Sequence, residues 1–227
     1  MNKYFFCINP KSYLQGEKLF EFAGFANNLA KQYDFDIYFT CPTLYLSKAA
    51  EQNQNLKITA QKVDAYFLRD KMDNVEIKNL KEIGVQAIVV NHASLSIDIK
   101  EVKKLIELCK QNKLVSIVCA GELNEIEYFA KQTPSIIVCE KKDLIGKGIQ
   151  ADDEYMLRSK RIIEYYSKSI GVSQSAGIRN GKDILKAFKN GANGTGVTSG
   201  IFLSENPKLK LIEFLEATKL AIAKYGG

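Results

Sequence analysis

The sequence has few candidate metal ligands: it contains a single histidine, His92, and its five cysteines form no C-x-x-C pair. Transition-metal sites need several nitrogen or sulfur ligands close together, so no metal site is expected. An odd number of cysteines, most of them inside apolar runs, predicts small buried thiols rather than disulfides. The five are Cys7, Cys41, Cys109, Cys119 and Cys139.

Long apolar runs and blocks of like charge are also missing. No apolar run reaches the roughly 18 residues of a membrane span, and the first residues lack the apolar segment of a signal peptide. We therefore expect no membrane partner and a cytoplasmic location. The net charge of +6 is spread along the chain. Such a dispersed excess is more typical of a soluble protein than of a nucleic-acid binder, and it would help to attract an anionic substrate.

No Pro-, Gly- or Ser-rich linker divides the 227 residues, which predicts one domain over residues 1–227. Within it, eight short apolar runs alternate with segments whose apolar residues recur at helical spacing. The predicted strands are 4–8, 37–40, 56–60, 87–90, 114–119, 136–139, 171–173 and 194–197. The predicted helices are 17–32, 44–52, 77–83, 97–111, 124–131, 152–167, 182–189 and 208–224.

This alternation predicts an α/β fold with a parallel sheet covered by helices. Closure into a single-domain (β/α)8 barrel removes both edge strands and is the architecture that we predict. An open doubly wound sheet is the alternative, and periodicity alone does not exclude it. Its usual glycine motif after the first strand, G-x-G-x-x-G, is absent.

Side chains suited to catalysis follow several of the predicted strands. Glu140 comes directly after the sixth strand and before a loop with two glycines, His92 follows the fourth strand, and Asn9 and Lys11 follow the first. Backbone N–H groups after the seventh and eighth strands are available at Gly177, Ser199 and Gly200. The carboxyl ends of parallel strands meet at one edge, so these groups predict proton transfer next to a carbonyl in a phosphorylated molecule.

Taken singly, each residue also has a structural interpretation. A lone histidine after a strand is often a hydrogen-bonded structural residue, and Glu140 or Lys11 could be a solvated surface charge. Glycines after strands are common in turns. Gln61 and Glu122 are expected at the rim of the sheet. The joint placement at one edge is what favours a site.

Six short motifs follow the strands in order. They are Asn9-Pro10-Lys11, Asn91-His92, Cys119-Ala120-Gly121-Glu122, Glu140 with Leu144-Ile145-Gly146-Lys147-Gly148, Ala176-Gly177-Ile178, and Ser199-Gly200. Together these motifs resemble those of the triosephosphate isomerase family, in particular its compact archaeal-type form. The resemblance covers all eight strand-helix units.

The resemblance implies a TIM barrel that interconverts dihydroxyacetone phosphate and glyceraldehyde 3-phosphate in glycolysis and gluconeogenesis, without a metal or an organic cofactor. It also implies a homo-oligomer, with a dimer expected. By the roles carried over from the family, Glu140 transfers the proton, neutral His92 donates to the carbonyl oxygen, and Lys11 with Asn9 stabilises the enediolate. The phosphate-binding residues implied are Gly148, Gly177, Ser199 and Gly200.

The chain departs from the family pattern in four loops. Ser94 stands where the family has the glutamate that usually pairs with the first-strand lysine, and Ala93 replaces the serine before it. Lys141 replaces the proline after the catalytic glutamate. The Thr-Gly pair that reaches the partner subunit is not found in 61–74. The seventh loop contains the larger residues Gln174 and Ser175, which are expected to reshape the sugar pocket.

These departures leave three alternatives open. An isomerase of the same family could act on a longer ketose phosphate, such as a tetrulose phosphate. A non-catalytic barrel could bind sugar phosphates. A Schiff-base aldolase would need a lysine deep in the barrel, for which Lys141 is the nearest candidate but is offset by one residue.

Overall fold

Eight parallel strands form one closed barrel in a computed structural model, which describes residues 1–66, 70, 72 and 74–226. Each strand pairs with its neighbours in the sequence, and the last strand pairs with the first. This confirms the predicted (β/α)8 barrel and excludes the open sheet. The strands are β1 Phe5–Ile8, β2 Asp36–Cys41, β3 Lys57–Ala60, β4 Ala87–Asn91, β5 Val115–Ala120, β6 Ile136–Cys139, β7 Gly171–Gln174 and β8 Gly194–Val197.

Helices surround the barrel and connect successive strands. They are α1 Glu17–Ala30, α2 Leu46–Gln52, α3 Ile77–Glu82, α4 Ile99–Asn112, α5 Leu123–Ala130, α6 Asp153–Tyr166, α7 Gly181–Lys189, α8 Ser199–Phe202 and α9 Pro207–Tyr225. The predicted start of α4 at residue 97 is two residues early, because Asp98 caps the helix by accepting from the N–H of Lys100. The short α8 was not predicted. Among the described helices, none is both long and apolar enough to cross a membrane.

The hydrophobic core has two layers, one inside the barrel and one between the strands and the helices. Successive residues of a strand point to opposite faces, so Phe5 and Cys7 fill the barrel while Phe6 and Ile8 pack outward. All five cysteines are free thiols, and all but the half-buried Cys119 are buried, as predicted. Part of the segment 61–74, whose sequence lacks the Thr-Gly pair, lies outside the described residues.

Candidate active site

A pocket of about 160 Å³ lies in the barrel mouth, at the carboxyl ends of the strands. Its lining comes from loops far apart in the sequence. All eight residues predicted from the sequence line it: Asn9, Lys11, His92, Glu140, Gly148, Gly177, Ser199 and Gly200. The structure therefore brings the predicted side chains and backbone segments together at one site.

Strand alternation explains how two of these loops direct their side chains inward. Cys7 lies inside the barrel, and Asn9 follows it by two residues and lines the pocket. Val138 and Glu140 show the same relation after β6. Because side chains two residues apart in an extended chain point the same way, the inward face of each strand continues into the mouth.

His92 reaches the pocket through an irregularity in β4. The register between β4 and β5 shifts between Val89 and Asn91, which is the signature of a β-bulge. Val89 and His92 both line the pocket although they are three residues apart, an odd interval that regular alternation would place on opposite faces. The Asn91 side-chain amide donates to the carbonyl of Cys119 at 3.1 Å and holds the bulged segment against β5.

The turn after β1 holds Lys11 in an unusual backbone conformation. Lys11 has a φ of 45°, in the left-handed region, which costs a non-glycine residue about 1 to 3 kcal/mol. The Asn9 side-chain oxygen stabilises the turn, since it accepts from the Lys11 N–H at 3.0 Å and from the Thr40 hydroxyl at 2.7 Å. Asn9 thus positions the segment that carries the ammonium group.

Burial and the charge of Lys11 set the protonation states of Glu140 and His92. Burial raises the pKa of Glu140 above its usual 4.5, while the Lys11 ammonium opposes this rise. Burial and, to a smaller extent, the Lys11 ammonium together lower the pKa of His92 to about 4. At neutral pH the imidazole of His92 is therefore uncharged, and Glu140 is a stronger base than an exposed carboxylate.

Hydrogen bonds from Ser94 determine which nitrogen of His92 carries the proton. The Ser94 backbone N–H donates to His92 Nδ1 at 3.0 Å, and the Ser94 Oγ lies 2.7 Å from the same atom. A backbone N–H can only donate, so Nδ1 is an acceptor and the proton is on Nε2. His92 is thereby available as an Nε2–H donor. Ser94, one of the residues at which the sequence differs from the pattern that it resembles, provides the hydroxyl group at Nδ1.

This arrangement makes a spectroscopic prediction for His92, the single histidine of the chain. In ¹⁵N NMR of histidine-labelled protein, we expect the neutral Nε2–H tautomer at neutral pH, with protonation only near a pH of about 4. Ser94→Ala removes one donor to Nδ1 that stabilises the neutral ring, so the pKa of His92 should rise. Ser96→Ala in the same loop is the matched control and should leave the pKa unchanged. Titration of the wild-type ring at the ordinary histidine pKa of about 6.5 would contradict this assignment.

The other end of the pocket is made of closely packed backbone. Gly177 has a φ of 76°, and a Cβ added there would lie 2.2 Å from the carbonyl carbon of Ile149. Only glycine permits the loops after β6 and β7 to approach so closely. Ser199 and Gly200 begin α8, and the first N–H groups of a helix have no partner within it. This end of the pocket can therefore bind an anion through N–H groups.

Comparison with known proteins agrees with this geometry. Residues 4–213 match the family model described as Triosephosphate isomerase. The chain belongs to the triosephosphate isomerase family. The triosephosphate isomerase of Methanobrevibacter smithii is 28% identical over 220 residues, which cover 95% of this chain and 99% of that protein. The one from Saccharolobus solfataricus is 26% identical over 220 residues, with coverage of 95% and 96%. Coverage in both directions confirms the resemblance to the compact archaeal-type form.

Several departures from the triosephosphate isomerase pattern lie away from the pocket. The Gln174 side-chain amide donates to Ser159 Oγ at 2.8 Å on the helix side of β7, so Gln174 does not reshape the pocket. Ser175 does line it, and its Oγ accepts from the N–H of Gly196 at 3.0 Å. The Lys141 ammonium lies 5.4 Å from the centre of the Tyr155 ring, and Lys141, the candidate lysine of the aldolase alternative, does not line the pocket.

Two predicted rim residues and one unpredicted residue complete the description. Gln61 lies beside the pocket, and its amide donates to the Thr40 hydroxyl at 3.5 Å. Glu122 is an exposed residue at the start of α5. Arg179 lines the pocket and was missed, because its position after the glycine turn gives no pattern signal.

Within residues 1–66, 70, 72 and 74–226, no three histidine, cysteine or acidic side chains are grouped so as to hold a metal ion.

Proposed function

We propose that this chain interconverts dihydroxyacetone phosphate and glyceraldehyde 3-phosphate by proton transfer through an enediolate. The observation that supports this most strongly is the shared pocket of Glu140, His92 and Lys11 in the family's barrel. A carboxylate base, a neutral imidazole donor and an ammonium group are the three groups that such a proton transfer needs. A phosphorylated sugar is the substrate class.

In this mechanism Glu140 removes a proton from C1 of dihydroxyacetone phosphate and returns it to C2, while the hydroxyl proton moves from O1 to O2. Burial raises the pKa of Glu140, which makes its carboxylate a stronger base. His92 donates its Nε2–H to the carbonyl oxygen and relays the proton between the two oxygens. The Lys11 ammonium stabilises the negative charge of the enediolate, and Asn9 holds the turn that carries it.

The phosphate would be bound by backbone N–H groups at the glycine-rich end, around Gly148, Gly177, Ser199 and Gly200. The loop after β6 is anchored at both sides. Lys142 forms an ion pair with Glu125 at 3.0 Å before the glycines, and the Gln150 amide donates to the Asp183 carbonyl at 3.0 Å after them. The intervening loop could close over the phosphate, expel water and protect the enediolate.

A coupled assay tests the substrate. Purified protein is assayed on dihydroxyacetone phosphate and on a tetrulose phosphate under the same conditions. We expect kcat/KM to be much larger for the three-carbon substrate. A large preference for the four-carbon sugar would favour the longer ketose phosphate, and binding of both sugars without turnover would favour the non-catalytic barrel.

We also propose that residues 1–227 act as one domain, since the pairing of β8 with β1 joins both ends of the chain into one barrel. A cytoplasmic location follows from the family's place in glycolysis.

We propose further that two copies pair through the loops after β1, β2, β3 and β4. Large apolar side chains are exposed in all four loops, which are neighbours around the barrel. They are Tyr13, Leu44, Tyr66, Met72 and Leu95. Clustered exposed apolar surface marks interaction sites. A groove lined by Lys11, Tyr13, His92 and Leu95 lies beside the catalytic groups and would accept a loop of the second copy.

Leu44→Asp tests this pairing, because Leu44 is 83% exposed and a buried unpaired carboxylate would be costly at an interface. We expect the wild type to sediment as a dimer and the variant as a monomer. Leu209→Asp, at a 63% exposed position on α9, is the matched control and should remain dimeric. A monomeric wild type would contradict the proposal.

A further inference from the structure

Arg179 adds a second cation to the pocket. It follows Gly177 by two residues and lines the same pocket as Gly148, Ser199 and Gly200. Of the described residues that form this lining, Lys11 and Arg179 are the two with cationic side chains. Lys11 interacts electrostatically with Glu140 and His92, whereas Arg179 belongs to the glycine-rich end.

The backbone at Arg179 is held in place by one carboxylate. Asp183 Oδ2 accepts from the N–H of Arg179 at 2.8 Å and from the N–H of Asn180 at 3.1 Å. Across the described part of the chain, no carboxylate oxygen lies within ion-pair distance of the Arg179 guanidinium. The main chain is therefore fixed, while the exposed side chain keeps its charge available for an anion.

The loop after β6 makes room for this side chain. Gly148 has a φ of 67°, and a Cβ added there would lie 2.8 Å from Arg179 Cδ and 3.1 Å from Nε. The arginine stem thus passes directly over the glycine whose N–H group is proposed to bind phosphate. Packing over Gly148, in a pocket that Gly177 also lines, places Arg179 at the glycine-rich end of the pocket.

We propose that Arg179 is a side-chain ligand of the substrate phosphate and supplements the backbone N–H groups. The guanidinium is a planar fork that can donate two parallel hydrogen bonds to phosphate oxygens. A phosphate dianion there would meet a full positive charge as well as the partial charges of N–H groups. The identity of the anion as a sugar phosphate rests on the proposed function, whereas the binding of phosphate by Arg179 does not.

The experiment compares Arg179→Gln and Arg179→Lys with Lys182→Gln, a matched control that removes an exposed charge on α7 outside the pocket. Calorimetry measures the affinity for 2-phosphoglycolate and for inorganic phosphate, and the coupled assay measures kcat and KM. For Arg179→Gln we expect both affinities to fall about 10-fold or more and KM to rise by a similar factor, as for the loss of a charged hydrogen bond. We expect kcat to change little, Arg179→Lys to retain part of the affinity, and the control to match the wild type.

The outcomes separate this inference from the proposed function. A wild type that binds both phosphates in an Arg179-dependent way but does not isomerise the sugar would support Arg179 and refute the reaction. An active wild type whose phosphate affinities are unchanged by Arg179→Gln would overturn the role of Arg179 and leave the reaction intact. Equal losses of phosphate affinity in Lys182→Gln would also overturn the role of Arg179. They would indicate that long-range electrostatic attraction, rather than a contact with Arg179, sets the affinity.

Discussion

Glu140→Gln is expected to lower kcat by about 10² to 10⁴-fold or more, because an amide cannot accept the proton from carbon. The substitution keeps the size and polarity of the side chain, so the pocket should retain its shape. Binding of 2-phosphoglycolate should persist, since the groups proposed to bind phosphate are unchanged. Coupled assays of wild type and variant, with calorimetry on both, measure the two effects separately.

Glu122→Gln is the matched control for this variant. Glu122 is also a glutamate at the carboxyl end of a strand, but it is exposed and does not line the pocket. Its substitution should leave kcat within about twofold, because Glu122 is exposed and lies outside the pocket lining. If Glu140→Gln kept a tenth or more of the wild-type kcat, another group would have to be the base.

Lys11→Met is expected to lower kcat/KM by about 10² to 10³-fold, the usual cost of removing one donor that stabilises a developing oxyanion. The ammonium also lowers the pKa values of both Glu140 and His92. Its removal should therefore raise both values, and the acid limb of the residual kcat profile should move to higher pH as Glu140 protonates more readily.

Lys18→Met, at an exposed position on α1, is the control for Lys11→Met and should change neither the rate nor the pH profile. An unchanged acid limb in Lys11→Met would contradict the electrostatic account. An unchanged rate would contradict the role proposed for the Lys11 ammonium in stabilising the enediolate.

The sequence was sufficient to predict the barrel and the position of its site. Buried strands alternating with amphipathic helices require a covered parallel sheet, and the carboxyl ends of its strands must share one edge. Asn9 and Glu140 could be predicted because each continues the alternation of the strand before it, whereas Lys11 reaches the pocket from the turn that follows β1. Closure of the sheet depends on the pairing of β1 with β8, which is a contact between the two ends of the chain and leaves no local pattern.

The orientation of His92 and the place of Arg179 depend on contacts between residues far apart in the sequence, which a local sequence pattern does not reveal. The bulge that directs His92 inward is defined by the register between β4 and β5. Arg179 joins the pocket through its packing on Gly148, a residue of another loop. Gln174 was expected in the pocket, yet it points outward beside the inward-facing Ser175, and the alternation of β7 was the signal that could have corrected this.

The central claim is that Glu140 carries a proton between two carbons of a bound triose phosphate, and isomerisation in D₂O tests it most directly. A carboxylic acid proton exchanges with solvent, so glyceraldehyde 3-phosphate formed from dihydroxyacetone phosphate should contain deuterium at C2 by NMR, and Glu140→Gln should slow its formation by about 10² to 10⁴-fold or more. Incorporation of deuterium at C2 that does not depend on Glu140, or product formed at the wild-type rate by Glu140→Gln, would contradict the claim.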